Sequence, residues 1–373
     1  MARRRRTDFT FVDLFAGIGG IRLAFERAGG RCVFSSEYDP HSQKTYAAYF
    51  GERPDFADVL EVDPPGDITK LPPDTLPDHD ILTGGFPCQP FSLAGVSKKG
   101  SLGKPHGFDD PTQGTLFFNI KEILAAKRPV AFLLENVKHL ARHDQGRTYA
   151  VITSTLRDLD YDIFDRVIDA AGWVPQHRER IFIAGFRTRG RKQTWRVSEF
   201  PELYRLKPPK DPTSLSEILE EDVPPKYTLG PGTWETLKRH KAYHESVGQG
   251  FGYGLLKPPY DDQVTRTLSA RYHKDGAEIL LWQGCGRRPR RLTPLECARL
   301  MGFPPDFQSM FDRRSLVPQP VSDTQAYRQF GNAVAVPLVA AIARAMVRRL
   351  RSVGALPERT HSELKSIAGS ARH

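Results

Sequence analysis

Phe11-Val12-Asp13-Leu14-Phe15-Ala16-Gly17-Ile18-Gly19-Gly20 is the stretch on which the fold turns. Residues 11–15 form an apolar run that reads as a strand. The glycines then turn the chain into a helix over residues 18–28, with Ile21, Ala24 and Phe25 at helical spacing. Such a turn lets a ligand approach the backbone, and helix N-terminal amides favour negative groups such as a carboxylate. Taken alone, it fits any dinucleotide-binding fold. Working outward, residues 32–36 read as the next strand, followed by a helix through residues 47–49. Residues 81–82, 130–134 and 180–186 are further strands, with a helix over 115–127 between two of them. This alternation implies an α/β fold, a doubly wound, mostly parallel, Rossmann-like sheet.

The texture changes after Phe186. Residues 200–232 hold seven prolines, and residues 248–254 are rich in glycine and aromatics. A second, smaller domain is therefore expected over 189–304, after a first domain over 1–188. Helix signals return at Thr293-Pro294-x-Glu296, an N-cap with proline at the first helical position and an acid at the third. A helix over 333–350 follows. Residues 305–350 are expected to pack back on the first domain, and 351–373 to form a disordered tail.

The chain is 26% charged and 39% hydrophobic, as a globular protein is, and no apolar stretch approaches the length of a membrane span. No membrane partner is expected. Four scattered cysteines, Cys32, Cys88, Cys285 and Cys297, show no Cys-x-x-Cys spacing; they indicate neither a zinc site nor a disulfide framework, and suit a reducing cytoplasm. The net charge of +10 suggests a polyanionic partner. Arg3–Arg6 supply four of those charges and residues 351–373 a net +2, which leaves +4 on the body. Local clusters must then carry the case for nucleic acid, and Arg287, Arg288, Arg290 and Arg291 form one.

Two acids fall where a nucleoside would be gripped. Glu37 ends the second strand, where an acid characteristically takes ribose hydroxyls, and Tyr38 beside it is placed to stack on an adenine face. Asp67, in Gly66-Asp67-Ile68 after a third expected strand, is placed to accept from an exocyclic amine. Either acid alone reads equally well as a helix cap or a solvated turn. Adenosine-type contacts at successive strand ends, in chain order, point to a nucleoside cofactor.

Gly85-Phe86-Pro87-Cys88-Gln89-Pro90-Phe91-Ser92 places a cysteine directly behind a proline, in a turn after the apolar run at 81–82. Proline cannot continue a ladder, so Cys88 is presented at a strand end, where open α/β sheets do chemistry. Three more segments follow in order: Glu135-Asn136-Val137 closing a strand, Gln176-His177-Arg178-Glu179-Arg180 preceding one, and Gln329-Phe330-Gly331-Asn332-Ala333-Val334 opening the last helix. Together these resemble the motifs of the bacterial C5-cytosine-specific DNA methyltransferases, over residues 10–350. One family segment fits with altered spacing, as Arg291-Leu292-Thr293-Pro294-Leu295-Glu296.

The resemblance implies a DNA (cytosine-5)-methyltransferase using S-adenosyl-L-methionine on double-stranded DNA. Cys88 would add at C6 of the cytosine, turning the ring into an enamine whose C5 can attack a methyl donor. Glu135 would supply a proton at N3, Arg178 would hold the O2 edge, and Arg180 would help fix the thiolate and ring. Phe15, Ala16, Gly17, Ile18, Gly19, Gly20, Glu37, Tyr38, Asp67, Ile68, Pro87, Asn332 and Ala333 would line the cofactor site. No metal is implied.

C6 of a paired cytosine lies inside the stack, so the base must be flipped out. Residues 92–107 hold four glycines with Lys98, Lys99 and Lys104 and read as a lid; Ser92, Lys98 and Lys99 are expected at the DNA. Target choice is expected within 249–276, where Arg266 and Arg271 sit among glycine and aromatics and suit bidentate pairing with guanine. This stretch is similar to recognition regions of the CCWGG/CCNGG-type subgroup. A monomer at the nucleoid is expected, with any cognate restriction endonuclease acting separately. An RNA (tRNA) cytosine-5 methyltransferase and a catalytically silent DNA-binding regulator are the rival readings. A nicotinamide dehydrogenase would leave the cysteine octapeptide unexplained.

Overall fold

The computed structural model describes residues 8–56, 65–87, 116–188, 190, 193–250 and 252–357. Its first half alternates β1 (Phe9–Leu14), α1 (Gly20–Arg27), β2 (Gly30–Ser36), α2 (Pro40–Phe50), β3 (Ile81–Gly85), α3 (Leu116–Lys127), β4 (Ala131–Val137), α4 (Arg147–Asp158), β5 (Tyr161–Asp169) and β6 (Glu179–Arg187). The six strands form one sheet in the order β2-β1-β3-β4-β6-β5. All run parallel except β6, which is antiparallel to both of its neighbours. This is the mostly parallel, doubly wound sheet that the alternation implies.

Register sets where chemistry can happen. Leu14 pairs with Gly84, and Gly85 with Glu135, so β1, β3 and β4 end along one edge. Strand order reverses between β1 and β3, and the crevice outside the carboxyl ends at such a switch point is where these sheets bind ligands. Because β6 runs the other way, it begins at that same edge. Arg180 therefore lies opposite Val137, and Glu135 opposite Phe182, with all four on one face of the ladder.

Apolar residues cover both faces. Val12, Leu14, Leu82, Phe132, Leu134 and Ile183 pack under α3 and α4. Phe11, Ile81, Ala131, Leu133 and Ala184 pack under α1 and the helix Val336–Ser352, whose residues Leu338, Val339, Ile342, Ala343, Met346 and Leu350 are buried. The stretch Asp323–Ser352 is apolar enough to cross a membrane by length and composition, but 72% of its apolar window is buried inside the fold. It is also two helices, Asp323–Asn332 and Val336–Ser352, and their burial is that of core helices.

Apolar packing runs across residues 189 and 304. Val197, Phe200 and Leu203 still belong to the core of the sheet. A second core joins Leu215, Ile218, Tyr227, Leu268 and Tyr272 to Leu295, Leu300, Phe303, Phe307 and Phe330, so the helices between Pro294 and Asn332 serve this unit. The return to the first core occurs at Val334 and Ala335. At the far end, Leu356 is buried and Arg351 pairs with Asp8 at 2.7 Å, so the ordered fold runs beyond residue 351.

The box at Thr293 forms as the residues imply. Thr293 Oγ1 accepts from Glu296 N–H at 3.1 Å, and Glu296 Oε2 accepts from Thr293 N–H at 2.8 Å. Glu296 is also gripped by both arms of Arg290, at 2.7 and 2.8 Å. Most of the expected nucleic-acid cluster is thereby spent on structure: Arg288 donates to the Leu229 carbonyl, and Arg291 to that of His273 while lying over the Tyr327 ring.

Asp13, next to the carboxyl end of β1, is fully buried. Its Oδ1 accepts from Thr83, and among the described residues Oδ2 has no partner. Burial lifts this carboxyl to about 7. A carboxyl raised in the folded state binds a proton that the unfolded chain has already lost, so folding stability should fall as pH rises from about 4 to about 7. Asp13→Asn should flatten that fall in urea unfolding at pH 5 and 8, by up to a few kcal/mol. Parallel profiles for the two proteins would contradict it.

Candidate active site at the carboxyl edge of the sheet

A cavity of about 760 Å³ opens at this edge, within the usual range for ligand sites. Its walls include Phe15, Ala16, Gly17, Ile18 and Gly20 from the first turn, and Glu37, Tyr38 and Asp39 after β2. Gly66, Asp67 and Ile68 form another side, and Phe86 and Pro87 lead out of β3. Glu135, Asn136 and Arg180 close one end; Gln329, Gly331, Asn332 and Ala333 supply the floor. Sequence separations of up to about three hundred residues thus converge on one crevice. Gly19 lies in the same turn, at the head of α1, but does not line the cavity.

Glu37 organises one end of the cavity. Its Oε2 accepts from Gly17 N–H and its Oε1 from Asp39 N–H, both at 2.7 Å. Burial nevertheless pushes the carboxyl above its ordinary value, against the pull of these amides. Each oxygen keeps a further lone pair, which suits a vicinal diol. Gly66, at φ +82°, crosses directly over the Glu37 carbonyl, where a side chain would collide. Gln43 fastens the crossing by donating to the carbonyls of Glu37 at 2.6 Å and Pro65 at 3.2 Å. Asp67 does not follow a strand among the described residues. It caps the short turn Ile68–Lys70, accepting from Thr69 N–H at 3.0 Å, while its side of the cavity stays open. Tyr38 is 61% exposed, free to present a ring face.

The floor corrects one expectation and adds a residue. Asn332 ends the helix Asp323–Asn332 and does not open the next one, whose N-cap is Ala335. Gln329 lines the cavity, and its Oε1 accepts from Thr45 at 2.9 Å. Its buried Nε2 has no partner among the described residues. An unspent donor in a cavity wall calls for an acceptor on a ligand. The sequence offered this residue only as part of a motif.

At the reactive end, Glu135 is 9% exposed and pairs with Arg180 through Nε–Oε1 at 3.0 Å. Burial raises its carboxyl, with Arg180 and then Arg178 opposing. Arg180 is held in turn by donating to the Glu179 carbonyl at 2.9 Å. Asn136 donates to the Phe86 carbonyl at 2.9 Å, which ties the turn entering Pro87 to β4. Cys88, Ser92, Lys98 and Lys99 lie outside the described residues.

Arg178 stands elsewhere than expected. It is 1% exposed, absent from the cavity wall, and its guanidinium is spent on the carbonyls of Leu268, Gly331 and Ala333, at 2.9, 2.9 and 2.5 Å. Burial, then Arg180, lowers it to about 9. Three backbone carbonyls hold its two Nη groups, and its buried Nε has no partner among the described residues, so Arg178 stands in the joint behind the cavity rather than in its wall. In the second unit, Arg266 and Arg271 are exposed. Arg266 also donates to the Gly252 carbonyl, so it is braced against the glycine-rich stretch.

Comparison with known proteins agrees with this geometry. Residues 9–348 match the family model described as C-5 cytosine-specific DNA methylase. The chain is 45% identical to the DNA-cytosine methyltransferase of Escherichia coli K12, across 93% of this chain and 79% of that protein. It is 46% identical to the Type II methyltransferase M.SsoII of Shigella sonnei (92% and 81%) and 39% identical to M.HpaII of Haemophilus parainfluenzae (92% and 91%). Among solved structures, a Spodoptera frugiperda DNMT2 mutant superposes with a TM-score of 0.66 at 20% identity, over 91% of this chain and 99% of that one, a likeness of fold. The chain belongs to the C-5 cytosine-specific DNA methylase family, whose members use S-adenosylmethionine, and it is a DNA (cytosine-5) methyltransferase.

Proposed function

We propose that the chain methylates C5 of a cytosine flipped out of a specific duplex site, through a covalent bond from Cys88 to C6. The observation that carries this reading is the meeting, at one sheet edge, of the Pro87 turn, the buried Glu135–Arg180 pair and a nucleoside-sized cavity. Cys88 is the next residue after Pro87 in the sequence. Its thiolate forms the S–C6 bond, and the displaced ring electrons run toward N3. Glu135, raised by burial, delivers its proton there. Arg180 holds Glu135 in place and takes the position at the O2 edge first expected for Arg178. Bound S-adenosylmethionine supplies the methyl group as an electrophile. N3 then returns its proton to Glu135, and a water or hydroxide takes the C5 proton, so that the C5–C6 double bond re-forms and the Cys88 thiolate is expelled.

The chain's own groups fit that cofactor. Glu37 suits the ribose diol, Asp67 an exocyclic amine, Tyr38 the adenine face, and Gln329 Nε2 is an unused donor. Phe15, Ala16, Gly17, Ile18, Gly20, Ile68, Pro87, Asn332 and Ala333 complete the walls. Ser92, Lys98 and Lys99 are assigned to DNA, and residues after about 206 to target recognition, on a CCWGG- or CCNGG-type site. The protein acts as a monomer in the cytoplasm at the nucleoid, apart from any companion endonuclease.

Labelled methyl transfer into duplex DNA and into tRNA tests the substrate, and mapping 5-methylcytosine in DNA from expressing cells gives the site. Preference for tRNA would overturn the reading. Once the site is known, Arg266→Ala and Arg271→Ala should relax or redirect it, each at a cost of roughly 1–3 kcal/mol of discrimination. Uniform weakening on every sequence would instead mark both as phosphate contacts.

A further inference from the structure

Arg178 bonds three carbonyls that belong to two different working parts. Leu268 lies in the segment that carries Arg266 and Arg271, while Gly331 and Ala333 are floor residues of the cofactor cavity. The same segment is stitched to residues 175–177 at Thr265, Thr267 and Leu268 itself. Thr265 N–H donates to the Pro175 carbonyl and His177 N–H to the Thr265 carbonyl, both at 2.9 Å. Thr267 Oγ1 donates to the His177 carbonyl at 2.6 Å, and Leu268 N–H to Gln176 Oε1 at 2.8 Å. Gly331 lies so close to the backbone of Ser269 and Ala270 that a Cβ would not fit.

This joint is stiff for a physical reason. A buried guanidinium that loses a carbonyl becomes an unsatisfied charged donor, so the three acceptors cannot drift apart cheaply. Any shift of residues 265–270 must therefore carry the floor at 331–333 with it.

We propose that Arg178 is a positioning residue that makes the recognition segment and the cofactor floor one mechanical unit, so that correct DNA and cofactor favour each other's binding. This rests on the assignment of residues 265–271 to the DNA. Coupling between sites is reciprocal and commonly amounts to 5–150-fold in affinity.

The test uses the full chain and S-adenosylhomocysteine, an unreactive probe of the cavity. Its affinity is measured by calorimetry with a duplex carrying the mapped site and with a scrambled duplex. In wild type the ratio of affinities should be about tenfold or more. Arg178→Lys keeps the charge but replaces a fork by a point donor. It should bring the ratio to within about twofold of unity. Leu203→Ala, in the core of the sheet, should lower thermal stability and leave the ratio intact. Should Arg178→Lys fail to fold, Thr267→Val, which loses one outlying stitch, should still reduce the ratio by about threefold with little change in melting temperature. A ratio near one in wild type, or one unchanged in a folded Arg178→Lys or in Thr267→Val, overturns the proposal. Failure of the functional reading would look different: wild type would bind the probe yet transfer no methyl group to any duplex.

Discussion

Cys88→Ala should abolish methyl transfer, by roughly 10⁴-fold or more, because a covalent step has no partial substitute. Affinity for S-adenosylhomocysteine should stay within a few-fold, since the cavity walls described above do not depend on the thiol. None of the three described cysteines can stand in. Cys32 donates to the Phe34 carbonyl within β2, and burial pushes its thiol up to about 12. Cys297 is fully buried in the helix Pro294–Leu300, and burial likewise pushes its thiol well above the ordinary value. Cys285 is exposed in the second unit, and none of the three lines the cavity. Duplex DNA containing 5-fluorocytosine at the target should trap wild type as an adduct that survives denaturation. Fluorine cannot leave as the proton does, so Cys88 is not released. The alanine variant should form no such adduct. Normal turnover by Cys88→Ala would place the nucleophile elsewhere.

The first half of the fold was legible because its signals are local. The glycines of the first turn, the apolar runs and the Pro87 turn each state a strand end within a few residues, and parallel strands buried on both faces read as continuous apolar stretches. β5 gave no such run. It is an edge strand paired only with β6, and Tyr-Asp-Ile-Phe-Asp-Arg-Val-Ile-Asp mixes charge into every turn of the pleat. The last helix was read as starting at residue 333 because apolar spacing continues through residues 333–335, and the helix Asp323–Asn332 was not read. Pro337 in the first turn of the second helix was the overlooked mark of a new start.

The site divides along the same line. Glu37, Glu135 and the first turn fall at strand ends, where position alone suggests a role. Arg178 was misplaced because its partners lie 90, 153 and 155 residues away, and nothing near it in sequence distinguishes a strut from a catalytic arm. The structural partners of Arg288, Arg290 and Arg291 were hidden for a similar reason. Charge is visible in sequence, but the buried carboxylate of Glu296 and the carbonyls that absorb it are not.

Glu135→Gln should lower the single-turnover rate on the order of 10²–10⁴-fold, the usual worth of a general acid, and change DNA affinity far less. An amide can still donate a hydrogen bond to N3 of the resting base, but it has no proton to transfer once the thiolate has added. Two opposing influences bear on the wild-type carboxyl. Arg180, 3.0 Å away, favours the charged form, while enclosure at the end of β4 disfavours it, and burial prevails. The sign of the pH effect follows. With Glu135 as the proposed proton donor, its active form is the protonated one, and its raised pKa extends that form to higher pH than an ordinary glutamate would allow. The single-turnover rate should therefore fall as pH rises through the raised value, and this falling limb should vanish in Glu135→Gln. Thiolate formation at Cys88 supplies the opposite limb, rising with pH, and should persist in the variant. If Glu135→Gln kept both the rate and the falling limb and lost only DNA affinity, Glu135 would be a positioning group for Arg180 and the proton at N3 would come from another donor.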